Sequence, residues 1–172
     1  DTNQMGRQYA EQGIATSEFE KFYERCKKSL SKTDSDAFYK SYIETKNEIC
    51  KSSKRTFSMT YGSYRNYREP YSCNEDGNSS LDFDAVKSDG SSAYKLKREL
   101  SDIEKRQKYE QNSERENKHY GIDAFFEGIR RLFFRPDLEK LEQSRRAKVE
   151  DLKVITQKYG LYISDLENVR TE

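Results

Sequence analysis

Four side chains stand out as able to do binding chemistry: Tyr64, Arg65, Tyr67 and Arg68, which alternate rings and guanidinium groups within "SYRNYREP". Such rings stack on nucleic-acid bases while arginine contacts phosphate. The same two residue types also anchor protein interfaces, and tyrosines in a strand bury their rings and leave their hydroxyls wet. The 32 basic residues are matched by 31 acidic ones, for a net charge of +1, which lacks the basic excess of a phosphate-binding footprint. A protein partner is therefore the preferred expectation, with bases stacked on the Tyr and Arg residues of 61–68 as the alternative.

Catalytic chemistry has little to work with. His119 is the only histidine, so a serine or cysteine hydrolase would have to use it as base. No G-x-S-x-G turn accompanies it, and beside Tyr120 and Gly121 it reads as a helix-end residue. Cys26, Cys50, Cys73 and His119 are zinc-ligand types, but they are 24, 23 and 46 residues apart, whereas structural zinc draws paired ligands from tight loops. Aligning Gly77 or Gly90 as the sixth residue of an EF-hand loop leaves Phe83 at the twelfth position or Lys87 at the third, and neither fits calcium. Phosphate-binding glycine loops are absent. The expectation is a non-enzymatic chain with no catalytic residue, no metal and no cofactor.

Leu, Ile, Val and Phe together number 31 of 172 residues, below the roughly one fifth under which disorder becomes a serious reading. Disorder also requires a large net charge, and here charge balances while thirteen Tyr and nine Phe are available to pack. An ordered protein with a thin core follows, best served by helices.

The elements that must carry these residues read as a mainly α fold. Residues 1–16 are polar and read as a flexible N-terminal segment. Ser17 and Glu20 have capping-box spacing ahead of Phe19, Phe22, Tyr23, Cys26 and Leu30. Thr33, Asp34 or Ser35 caps a second helix bearing Phe38, Tyr39, Tyr42, Ile43, Ile49 and Cys50. The two form an N-terminal helical hairpin. From Thr56 to Tyr61 apolar and polar residues alternate, which predicts a short β or extended aromatic segment, completing a region of residues 17–73.

Residues 74–91 read as an acidic linker, and 92–172 as a C-terminal helical region that packs with 17–73 as one elongated domain. Leu96, Leu100 and Ile103 form a brief heptad seam there; Leu138, Leu141, Leu152, Ile155 and Tyr159 form another, broken by Arg145 and Lys148. Between these seams, Ile122, Phe125, Phe126, Ile129, Leu132 and Phe133 give residues 122–134 one apolar face. It is read as core rather than as a membrane-surface helix. Gly160 closes the last long helix, and Ser164 with Glu167 caps a short one.

No run approaches the roughly 20 apolar residues of a membrane span. The chain opens on Asp1 rather than Met, which we read as a leader lost on export to the periplasm or exterior, with a trimmed cytoplasmic protein as alternative. In a helical hairpin Cys26 and Cys50 fall about 16 Å apart along the axis, beyond disulfide reach. Cys73 therefore pairs with Cys50 or with Cys26. The functional expectation is an adaptor or assembly protein that binds another protein through its aromatic-basic patch and exposed helices.

Overall fold

The computed structural model describes the backbone of residues 2–73, 82–119 and 124–167, and side chains over the same spans except 113–137. Among the described residues six helices follow one another: α1 (Thr2–Glu11), α2 (Thr16–Cys26), α3 (Lys32–Cys50), α4 (Ser53–Arg65), α5 (Phe83–His119) and α6 (Ala124–Lys158), with a 3-10 turn at Ile163–Leu166. The mainly α reading holds. No described residue is in a strand. Residues 74–81, the side chain of His119 and the apolar face expected over 122–134 lie outside the described residues.

The chain divides into two compact units, Asp1–Tyr94 with Ile155–Glu172, and Lys95–Val154. Helices α5 and α6 each contribute residues to both.

The first unit compensates for its few aliphatic residues with rings. Phe19 of α2 stacks on Tyr42 of α3 at 3.8 Å and 6°, and Tyr23 shares a 2.9 Å hydrogen bond with Ser35, so α2 and α3 run antiparallel. Tyr9 of α1 stacks on Phe22 at 4.9 Å and meets Phe38 edge-on at 6.0 Å. Each such pair contributes about 0.5–1.5 kcal/mol beyond the area it buries. Residues 1–16, expected to be flexible, thus supply α1 as part of this core: Ala10 is fully buried and Ile14 nearly so.

Helix α1 approaches α3 closely because Gly6 has no side chain. A Cβ there would overlap Ser41 Oγ and the Phe38 carbonyl oxygen. Pattern reading overlooks such a contact, since a polar face with one glycine carries no hydrophobic periodicity.

Helix α4 corrects the strand expected at Thr56–Tyr61. The alternation there placed Thr56 and Thr60 on a wet face, but both are fully buried, as is Ser63. Positions 56, 60 and 63 share one face at helical spacing. Their hydroxyls are satisfied by main-chain carbonyls: Thr56 donates to Ile49 (2.8 Å), Thr60 to Phe57 (2.9 Å) and Ser63 to Gln12 (3.1 Å). Small hydroxyl residues that bond backward in this way can line a helix–helix contact. Gly90 of α5 fits against Thr60 there, so the linker expected to reach residue 91 is helical from Phe83 onward.

The expected caps also move. Helix α2 starts after Ala15 with no side-chain cap. Helix α3 is capped by Ser31, which accepts from the Asp34 N–H and donates to its carboxylate at 2.6 Å. At the 3-10 turn Asp165, rather than Glu167, reaches back to the Tyr162 N–H at 2.8 Å.

The first unit is closed by Tyr159, whose ring stacks on Phe57 at 4.4 Å. Its hydroxyl donates to Asp89 at 2.6 Å, and Lys158 donates to the same carboxylate oxygen at 2.6 Å.

In the second unit α5 and α6 run antiparallel, since Glu99 pairs with Lys148 and Gln107 donates to Glu142 at 3.2 Å. Leu100, Ile103 and Leu152 are buried. Arg145 and Lys148, the charges that interrupt the seam, are engaged by Glu142 and Glu99.

Candidate functional site

The Tyr and Arg patch forms where α4 ends. After Arg65 the chain turns by a six-residue hydrogen-bonded cap: Arg68 N–H donates to Ser63 O at 2.9 Å and Tyr67 N–H to Tyr64 O at 3.0 Å. This Schellman arrangement requires its penultimate residue in the left-handed region, and Tyr67 has φ of 56°.

Two other helices end in the same way. In α1, Ile14 N–H donates to Tyr9 O and Gly13 N–H to Ala10 O; in α6, Leu161 N–H donates to Thr156 O and Gly160 N–H to Gln157 O. Both use glycine at the left-handed position, with φ of 69° and 63°. Tyrosine at the third costs about 1–2 kcal/mol of backbone strain that glycine avoids.

Among the described residues the Tyr67 ring is also the most exposed of the large hydrophobic side chains, at 84%. Its only described ring neighbour is Tyr94 of α5, edge-on at 6.5 Å and 83°. Burial does not account for its position.

The four expected residues share this corner but face different neighbours. Tyr64 is half-buried. Its hydroxyl is pushed above the ordinary tyrosine value by burial and by Glu69, against the opposing pull of Lys87. Lys87 and Glu69 form an ion pair. Arg65 is exposed and lies within electrostatic reach of the Tyr61 hydroxyl, as do Glu167 and Tyr94. Arg68 is exposed but turns to the end of α1, where its Nη1 donates to Gln12 Oε1 at 3.5 Å. Arg65, Tyr67 and Arg68 are thus the exposed members of the patch, and Tyr64 and Tyr94 its half-buried ones.

Beyond Arg68 the chain is held down. Tyr71 N–H donates to Gly13 O at 3.1 Å, and Lys46 Nζ lies 5.6 Å from the centre of the Tyr71 ring. The ring is 2% exposed, yet its hydroxyl has no hydrogen-bond partner among the described residues. An unpaired buried hydroxyl costs about 1–3 kcal/mol. Burial drives its pKa well above the ordinary tyrosine value. Cys73 then pairs with Cys50, Cα atoms 5.5 Å apart, closing a loop that contributes about 3 kcal/mol. Cys26 is the free thiol.

That pairing engages two of the four residues considered for zinc, Cys50 and Cys73. Among the described residues no cluster of three metal-ligating side chains occurs. An open groove of about 600 Å³ between α1 and α3 is bordered by Arg7, Lys40 and Arg55 and by Glu11, Glu44 and Glu48. Its cations and carboxylates balance, so it selects no charge.

Sequence reasoning missed Tyr94, which faces Tyr67 from a helix read as linker and seam, and Tyr71, which anchors the segment behind the patch. One local signal was present: α4 reaches its end at Asn66-Tyr67, with no glycine where a left-handed residue is needed. The chain matches no protein-family model, no curated protein and no solved structure.

Proposed function

We propose that this chain is a non-enzymatic binding protein, an adaptor or assembly component, that captures a protein partner through Tyr67 and its neighbours Tyr64, Arg65 and Arg68. The observation that carries this reading is Tyr67 itself: a large ring, 84% exposed, at a left-handed position that the two equivalent helix ends give to glycine. Backbone strain retained at an exposed aromatic residue is the pattern expected of a contact residue. Arg65, exposed and two residues before Tyr67 in the chain, supplies the second residue type enriched at interface hot spots. Export to an oxidising compartment belongs to the same reading, because the Cys50–Cys73 pair persists there.

Nucleic acid is the weaker reading. Of the nearby cations, Arg68 is engaged by Gln12 and Lys87 by Glu69.

The test compares wild type with Tyr67→Gly and Tyr67→Ala in affinity capture across a salt series, alongside binding of a labelled single-stranded oligonucleotide. The expected result is a specific protein partner held by wild type with modest salt response and lost in both variants, with Tyr67→Gly at least as stable as wild type. A partner retained equally by Tyr67→Gly would overturn the reading. Oligonucleotide binding that weakens steeply with salt would replace it with the nucleic-acid one.

A further inference from the structure

We propose that residues 67–73 form a redox-released strap: reduction of the Cys50–Cys73 disulfide lets this segment leave the first unit and dismantle the Tyr67 patch. The functional consequence rests on the binding role proposed for that patch; the release itself does not.

Two unfavourable features lie within five residues of each other and act in the same direction. Tyr67 is held in the left-handed region, and the Tyr71 hydroxyl is buried without a partner among the described residues. Letting the segment go relaxes the first and hydrates the second. It also returns water to Lys46, which is 3% exposed beneath the Tyr71 ring.

Side-chain contacts oppose release: Arg68 with Gln12, Glu69 with Lys87 and Tyr67 with Tyr94. The segment has no regular secondary structure from Asn66 to Cys73. Its described main-chain anchors are Arg68 N–H to Ser63 O, Tyr67 N–H to Tyr64 O and Tyr71 N–H to Gly13 O. Burial of the Tyr71 ring and of Cys73 against Ile49, Met59 and Phe83 adds apolar contact. The covalent restraint is the Cys50–Cys73 bond, and it is the one a reductant removes.

The chemistry is ordinary thiol–disulfide exchange with a dithiol reductant. Its thiolate attacks the sulfur of Cys50, the more exposed of the pair, and Cys73 leaves as thiolate. The reductant's second thiol then closes its own disulfide, and Cys50 and Cys73 each end as a thiol. Two electrons pass from the dithiol to the cystine.

The experiment is amide hydrogen exchange on the full chain, oxidised and after treatment with dithiothreitol, with Cys73→Ser as a variant permanently lacking the bond. The Arg68 and Tyr71 amides are expected to exchange about a hundredfold faster on reduction, the factor corresponding to the lost loop closure. Amides of α1, α2 and α3 keep their protection. One further tyrosine of the thirteen then titrates in the ordinary range near pH 10.

Tyr71→Phe removes the unpartnered hydroxyl and keeps the ring. The Arg68 and Tyr71 amides of reduced Tyr71→Phe are expected to exchange about fivefold more slowly than those of reduced wild type. Equal protection of Arg68 and Tyr71 in both redox states overturns the proposal, as does loss of protection throughout the first unit on reduction, since either makes the disulfide a static staple. Exchange is read on the protein alone, so failure here leaves the partner-capture test standing, and the reverse.

Discussion

Tyr67 shows how one residue can be placed against its own conformational preference. Its φ of 56° lies where an L side chain crowds its own backbone, and its ring gains little in return at 84% exposure. Substituting glycine relieves that crowding while adding some unfolded-state entropy. Tyr67→Gly is therefore expected to stabilise the fold by about 0.5–1 kcal/mol, read as an upward shift in thermal or urea midpoint. A drop in stability would mean that the Tyr94 contact outweighs the strain. Tyr71 carries the opposite burden, a well-packed ring with an unsatisfied tip. Tyr71→Phe is expected to be neutral or stabilising by about 1 kcal/mol in the oxidised protein. Of the four residues proposed from sequence, Arg65, Tyr67 and Arg68 are exposed and Tyr64 is half-buried. That Arg68 turns toward Gln12 depends on a glycine-capped helix end more than fifty residues away in the chain. Local spacing contains no such information.

At the scale of elements, the close approaches between helices set the architecture. Gly6→Ala would place a methyl group inside the envelope of Ser41 and the Phe38 carbonyl. Because one of those atoms is main chain, α1 must shift as a body, at a cost of about 1–3 kcal/mol; a urea midpoint unchanged by the substitution would contradict this packing. The junction of α5 and α6 with α4 contains a pH-sensitive contact. Burial raises the Asp89 pKa, but hydrogen bonds from Lys158 and Tyr159 outweigh it and hold the carboxyl below its ordinary value. A depressed carboxylate contributes stability above its unfolded pKa of about 3.9, and that contribution is lost as pH falls through the folded value. Asp89→Asn is thus expected to lower the melting temperature at neutral pH and to converge with wild type in acid. A pH-independent difference would assign the effect to packing instead. The helices themselves were largely legible from periodicity. Helix α4 was misread because Thr56, Thr60 and Ser63 are buried by bonding to carbonyls, which makes a helix face look like the wet side of a strand; α1 and the first turns of α5 were read as a flexible segment and a linker because their polar sequences show no apolar period.

For the molecule as a whole, the first unit depends on both covalent and aromatic ties. Deleting residues 1–13 removes Tyr9 from its contacts with Phe19, Phe22 and Phe38 and uncovers Ala10's neighbours on α3. That truncation is expected to abolish cooperative unfolding, whereas removal of a flexible tail would leave the transition unchanged; circular dichroism melts of the two chains separate the cases. Cys73→Ser is expected to cost about 3 kcal/mol of stability in denaturant titration. A larger loss, with collapse of the whole unit, would show that the 67–73 strap is integral to the core.

Composition and periodicity by themselves determined that the chain is mainly helical, that Cys26 and Cys50 do not pair, and that its notable aromatic-basic residues cluster near position 65. These properties are local or additive: ring count, charge balance, and the turn repeat of a helix. The tertiary structure decided the rest. It made residues 2–11 part of the core through a glycine contact, paired Cys50 with Cys73, turned an apparent strand into α4, and stood Tyr67 opposite Tyr94. Each of these depends on which backbone comes close to which, a quantity set by distant small residues and by buried hydroxyls paired with carbonyls, which leave no periodic trace in the sequence.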